Sequence, residues 1–86
     1  MRRTVKKIID GDTFIVGRKI GNTNKVRLAG INAPERHQFG EKKATNRLRG
    51  MIGGKTVTIK PVGRSFDRIV ANVSYQRKSV NKRLRK

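Results

Sequence analysis

Ala44–Lys60, ATNRLRGMIGGKTVTIK, changes its period half-way along. Ala44, Leu48, Met51 and Ile52 fall at i, i+4, i+7 and i+8, which sets four apolar side chains on one stripe of an α-helix. Gly53-Gly54-Lys55 stops that helix. Val57 and Ile59 then alternate with Thr56, Thr58 and Lys60, the pattern of a strand with one buried face. A helix thus passes into a strand across a glycine turn, and what flanks this passage decides the fold.

Upstream, the chain reads as three strands. Thr4–Asp10 carries β-branched Val5, Ile8 and Ile9, and Gly11 then permits a tight bend. Thr13–Lys19 sets Phe14 and Val16 on one face and Ile15 on the other, before the turn residues GNTN, Gly21–Asn24. In Val26–Ile31, Val26 and Leu28 share a face while Arg27 points to the other. NAPE ends this strand, because Pro34 cannot continue a central ladder. Downstream, Ile69, Ala71, Val73 and Tyr75 alternate with Val70, Asn72 and Ser74 as a further strand. Ser79 is placed to cap a last helical turn with Val80 and Leu84, and residues 82–86 read as a basic tail. The expected fold class is mainly β (α+β): a five-stranded OB-fold-type Greek-key barrel, with a helix between strands three and four and a short C-terminal helix.

The chain has 86 residues, 23 Lys plus Arg against 5 Asp plus Glu, and a formal net charge of +18. This length makes one domain, residues 1–86, with a marginal core that buries only about 60% of the unfolded surface. Without cysteine there is no disulfide and no thiolate zinc site. MRRTVKKIID has charge but no apolar run behind it, so no secretory signal is read and the cytoplasm is the expected location. No segment approaches the ~20 apolar residues of a membrane span, and no basic face backs onto a wide apolar one. A charge of +18 repels itself and weakens the compact state unless a polyanion neutralises it. Nucleic acid is the expected partner, with no membrane, no protein partner and a monomeric chain.

Three strings carry a more specific signal: IDGDTF (Ile9–Phe14), VRLAGINAPE (Val26–Glu35) and DRIVANV (Asp67–Val73). In order and spacing they resemble the staphylococcal nuclease (thermonuclease) family. The resemblance runs on through the helix, GKTVTIK (Gly54–Lys60) and SVNKRL (Ser79–Leu84), so it covers nearly the whole chain. It implies the barrel already read from the periods. It also implies cleavage of DNA and RNA phosphodiesters with calcium, or, where the site has decayed, binding without cleavage. Active members usually carry further helix beyond this point, so a shortened or truncated member is expected.

The resemblance also assigns residues. Asp12 falls at the metal-binding aspartate, Asn32 at a second metal carboxylate, and Ala33 offers a backbone carbonyl to the same ion. Arg27 and Arg68 fall at two phosphate-clamping arginines, whose planar donors suit a phosphate better than lysine does. Glu35 falls at the general base or water-orienting carboxylate, two roles that the sequence leaves open. Two departures stand out. Asn32 offers calcium an oxygen but no charge, which weakens the metal site and so the activity. Asp67 stands where a glycine is usual before the arginine, and it is a candidate to pair with Arg68 or a neighbouring cation. Calcium is the expected cofactor, with magnesium or another divalent ion as alternatives. The expected function is a metal-dependent nuclease acting on DNA or RNA; the alternative is a catalytically impaired nucleic-acid-binding module. Asp10 reads as a turn residue capping local amides. His37 reads as a bystander, and Tyr75, Phe39 and Phe66 read as packing residues rather than base-stacking ones.

Overall fold

The computed structural model describes residues 1–34 and 37–85. Six strands and two helices follow in the order β1 (Arg2–Asp10), β2 (Thr13–Ile20), β3 (Thr23–Leu28), α1 (Glu41–Ile52), β4 (Thr56–Ser65), β5 (Arg68–Tyr75), β6 (Lys78–Ser79) and α2 (Val80–Leu84). The strand order is β3-β2-β1-β4-β5-β6, and a parallel pairing of β3 with β5 closes the first five into a barrel. Closure leaves no long open edge in this five-strand ring. The helix between β3 and β4 and the short C-terminal helix lie where the sequence places them.

The periods become the core. Val5, Phe14, Val16, Val26, Leu28, Val57, Ile59, Ala71 and Val73 line the barrel interior with almost no exposure. Leu48 and Ile52 of α1 are fully buried against this cluster, with Met51 packed beside them. Ser79 caps α2 as expected, its hydroxyl accepting from the Lys82 backbone N–H at 3.1 Å. Because α2 runs to Leu84, it takes in the first part of the segment read as a tail.

Several boundaries differ from the sequence reading. β3 begins at Thr23 and ends at Leu28, rather than covering Val26–Ile31. Its early start follows from a tight turn at Gly21 (φ 65°) and Asn22; its end follows from Gly30, whose φ of 74° breaks the extended run. β4 continues through Pro61 to Ser65, past a register shift between Pro61 and Gly63. Proline is accepted there because a bulge relieves the ladder. Phe39 is fully exposed and Phe66 is 92% exposed, so neither packs, while Tyr75 does rest against the core.

Gly11 has a different reason from the one its sequence suggests. It is not among the glycines with positive φ. A Cβ placed there would lie 2.7 Å from the Cβ atoms of both Ala33 and Ala44. The residue is small because the β1–β2 turn passes directly beneath the loop and helix that follow β3. Gly11→Ala is expected to cost about 1–3 kcal/mol, since neither alanine has a flexible end to move aside. Urea unfolding of the variant measures this directly; an unchanged midpoint would mean that α1 shifts freely.

Candidate active site

The register of the barrel converges on one spot. Thr13 pairs with Arg27 across β2 and β3, and Arg27 pairs with Val70 across β3 and β5. Asp12, next to Thr13, and Arg68, two residues before Val70, therefore flank Arg27 from either side. The Leu28 N–H donates to the Asp12 carbonyl at 2.8 Å and fixes the turn to the strand. The positive φ of Gly30 then reverses the chain, so that Asn32 and Ala33 return over the same turn. The result is an open cleft of about 930 Å³, lined by Asp10, Asp12, Arg27, Asn32, Ala33 and Arg68, with Phe39 at its margin.

Asp12 is held firmly and is largely buried. Its Oδ1 accepts from the Thr13 hydroxyl at 2.9 Å, and its Oδ2 accepts from the Ala33 N–H at 3.2 Å. The Arg27 Nη2 lies 3.4 Å from the same Oδ2. That guanidinium also donates to the Ile31 carbonyl at 3.0 Å and to the Asn32 Oδ1 at 2.9 Å. Arg27 is thus the hub of the cleft: it ties the carboxylate, the amide and the returning backbone into one unit. Nothing in the sequence pattern marked Asn32 as an acceptor for Arg27, because that contact depends on the reversal at Gly30.

Asp10 accepts from the Asp12 backbone N–H at 3.1 Å, which is the turn role read for it. Burial, then the side chain and charge of Asp12, push its carboxyl above the ordinary carboxylate value of 3.8, against the pull of that N–H and the Thr13 hydroxyl. The sign follows: a carboxyl raised in the folded state favours folding below its unfolded value and loses that contribution as pH rises through its folded one. Asp10→Asn keeps the acceptor and removes the charge. At neutral pH it is expected to melt no lower than the parent, and the parent should gain on it towards pH 3. Melting curves across this range check the sign, and a variant that melts lower at pH 7 would refute it.

Asp67 takes a neighbouring cation, Lys25, as its ion-pair partner. Its carboxylate meets Lys25 at 2.8 Å, which lowers its pKa, and Arg68 adds a smaller pull in the same direction. The Arg68 side chain stays on the cleft. Glu35 lies outside the described residues, so its assigned role rests on the resemblance. Among the described residues, no cluster of three or more His, Cys, Asp or Glu side chains forms a metal-binding group. No helix among them is long and apolar enough to cross a membrane.

The sequence profile of the staphylococcal nuclease homologue family matches residues 25–86. The chain belongs to that family. Its similarity extends to curated relatives. A protein of Haemophilus influenzae named an uncharacterized endonuclease is 37% identical over 78 residues, covering 90% of this chain and 44% of the relative. Two Escherichia coli proteins of the same name, one from strain O157:H7, are each 37% identical over 57 residues, 64% of this chain and 35% of theirs. The chain thus spans less than half the length of these relatives. The family match takes in Arg27, Asn32, Ala33 and Arg68, while Asp12 lies before it and joins them through the fold.

Proposed function

We propose that this staphylococcal nuclease homologue is a metal-dependent phosphodiesterase that cleaves DNA or RNA, with Arg27 and Arg68 binding the scissile phosphate. The observation that carries this reading is the meeting of Asp12, Arg27 and Arg68, from three separate segments, in one open cleft. In a chain of net charge +18, two of the four acids among the described residues lie in the cleft beside two arginines. The general surface charge draws in the substrate, and the cleft sorts charge at close range.

The donor set fits a hard divalent cation. It is made of oxygens alone, and burial, with the side chain and charge of Asp12 beside it, raises Asp10 in a way that a cation would relieve. Asp12, the Asn32 amide oxygen and the Ala33 carbonyl would hold the ion, with calcium proposed from the family. When bound, such an ion polarises a phosphoryl oxygen and lowers the pKa of water. The chain itself supplies planar donors at Arg27 and Arg68 for charge growing on the phosphoryl oxygens. Glu35 is proposed to orient or deprotonate the attacking water. Before any substrate arrives, Arg27 is held by the Leu28 and Ile31 carbonyls, the Asn32 amide oxygen and the Asp12 carboxylate, so its guanidinium is already oriented in the cleft.

Cleavage of labelled single-stranded DNA and RNA with calcium, magnesium or chelator tests the reading; cutting in chelator, or none with either ion, would sink it. Asn32→Asp adds the missing charge and is expected to tighten calcium on the order of tenfold and to raise the rate. An unchanged calcium affinity would place residue 32 away from the ion. A second reading, binding without cleavage, draws on the Asn32 oxygen being already taken by Arg27. It predicts phosphate binding that is equal with calcium and with chelator.

A further inference from the structure

We propose that a single-stranded nucleic acid leaves the cleft over Phe39 and follows α1 along a cationic trough to Lys6 and Lys7. This deepens the reading of the cleft as a phosphodiester site and rests on it for the entry point only. Three surface depressions adjoin. The cleft shares Gln38 with a groove along α1 lined by Ile9, Lys42 and Arg49, and that groove shares Arg49 with a hollow between α1 and β1 lined by Lys6 and Lys7. Lys6, Lys7, Lys42 and Arg49 are all exposed. Glu41 is the single carboxylate among the described residues that line the groove and the hollow. α1 is about 18 Å long, enough for roughly five phosphates at the spacing of a stacked strand.

Phe39 fixes the class of polyanion. A fully exposed phenylalanine gains nothing for the fold, and here it stands at the rim of the cleft where the trough begins. Gly40, with φ 85°, turns the chain straight from Phe39 into α1, so the ring stands at the start of that helix. A base stacks on such a ring only when its own face is open, which a single strand offers and a duplex does not. The backbone of that strand then meets the row of cations.

The test compares a dinucleotide with an oligothymidylate of about ten nucleotides, by fluorescence anisotropy across a salt series. The triple variant Lys7→Gln, Lys42→Gln, Arg49→Gln is expected to weaken the long oligomer at least tenfold and to flatten its salt slope by about 2. Dinucleotide binding should stay unchanged. Phe39→Ala should weaken the long oligomer roughly 5- to 100-fold with no change in slope, since no charge is lost. The path is overturned if the long oligomer keeps its affinity and slope in the triple variant. It is also overturned if a duplex of equal length, or polyglutamate, binds as tightly and loses as much. If the parent leaves the dinucleotide unbound while the long oligomer still depends on these residues, the reading of the cleft fails and the path along α1 stands.

Discussion

Replacing Asn81 by leucine is expected to lower stability by about 3 kcal/mol and the melting temperature by roughly 12–24 °C. Asn81 is a buried polar residue in an otherwise apolar cluster. Its Oδ1 accepts from the Val73 N–H at 2.8 Å, and its Nδ2 donates to the Ala29 carbonyl at 2.9 Å and the Ala71 carbonyl at 3.3 Å. One amide therefore joins α2 to β5 and to the chain just beyond β3. Leucine fills similar space but strands a buried N–H, and each stranded polar group costs about 1–3 kcal/mol. Asn81→Asp separates shape from hydrogen bonding. It keeps the acceptor, loses both donated bonds and sets a charge against two carbonyls, so it should be at least as damaging as leucine. Denaturant unfolding of both variants decides the matter. If Asn81→Leu unfolds within about 0.5 kcal/mol of the parent, α2 is not a structural part of the barrel.

Asn81 also shows what a sequence read by period can and cannot reveal. The barrel was legible because Phe14 and Val16, Val26 and Leu28, Val57 and Ile59, and Ala71 and Val73 alternate, and every one of these residues is buried. Alternation fixes which face a side chain takes, but it says nothing about a lone asparagine in a helical turn. Its value lies in the three backbone groups that happen to face it. The second half of β4 escaped for the opposite reason: the pairing of Pro61 with Ala71 and of Ser65 with Arg68 comes from the partner strand, not from local preference.

The cleft was legible in part. Asp12, Arg27, Asn32, Ala33 and Arg68 do come together, and the reason is the register that sets Arg27 between Thr13 and Val70. The ties among them were not legible. The bond from Arg27 to Asn32 needs the reversal at Gly30, and the turn of Asp67 towards Lys25 needs the closure of β3 on β5. Phe39 and Phe66 were misread because aromatic rings are packing residues in most chains, and only a structure shows a ring with nothing to pack against.

On the proposed nuclease reading, Arg27→Ala is expected to slow cleavage by about 100- to 1,000-fold, the loss typical of removing one preorganised donor to developing charge. The reason is specific to the geometry. The guanidinium is already held through Nη2 by the Ile31 carbonyl, the Asn32 amide and the Asp12 carboxylate, with the Leu28 carbonyl 3.5 Å from Nη1, so the donors left for a phosphate oxygen lie on its Nε–Nη1 side. Arg27→Lys should not rescue the rate, because an ammonium on a flexible stem cannot hold three such acceptors and a phosphate oxygen together. Single-turnover rates at saturating substrate separate the possibilities. If Arg27 acts on the charge that grows in the transition state, the rate falls with little change in substrate affinity. If it only grips the ground-state phosphate, affinity falls and the rate at saturation holds. If neither changes while unfolding becomes easier, Arg27 is the counter-ion of Asp12 and no more, and the chemistry must be sought at Arg68 and Glu35. Melting curves of the alanine and lysine variants distinguish this last case, since a structural ion pair should be partly restored by lysine and a bidentate phosphate contact should not.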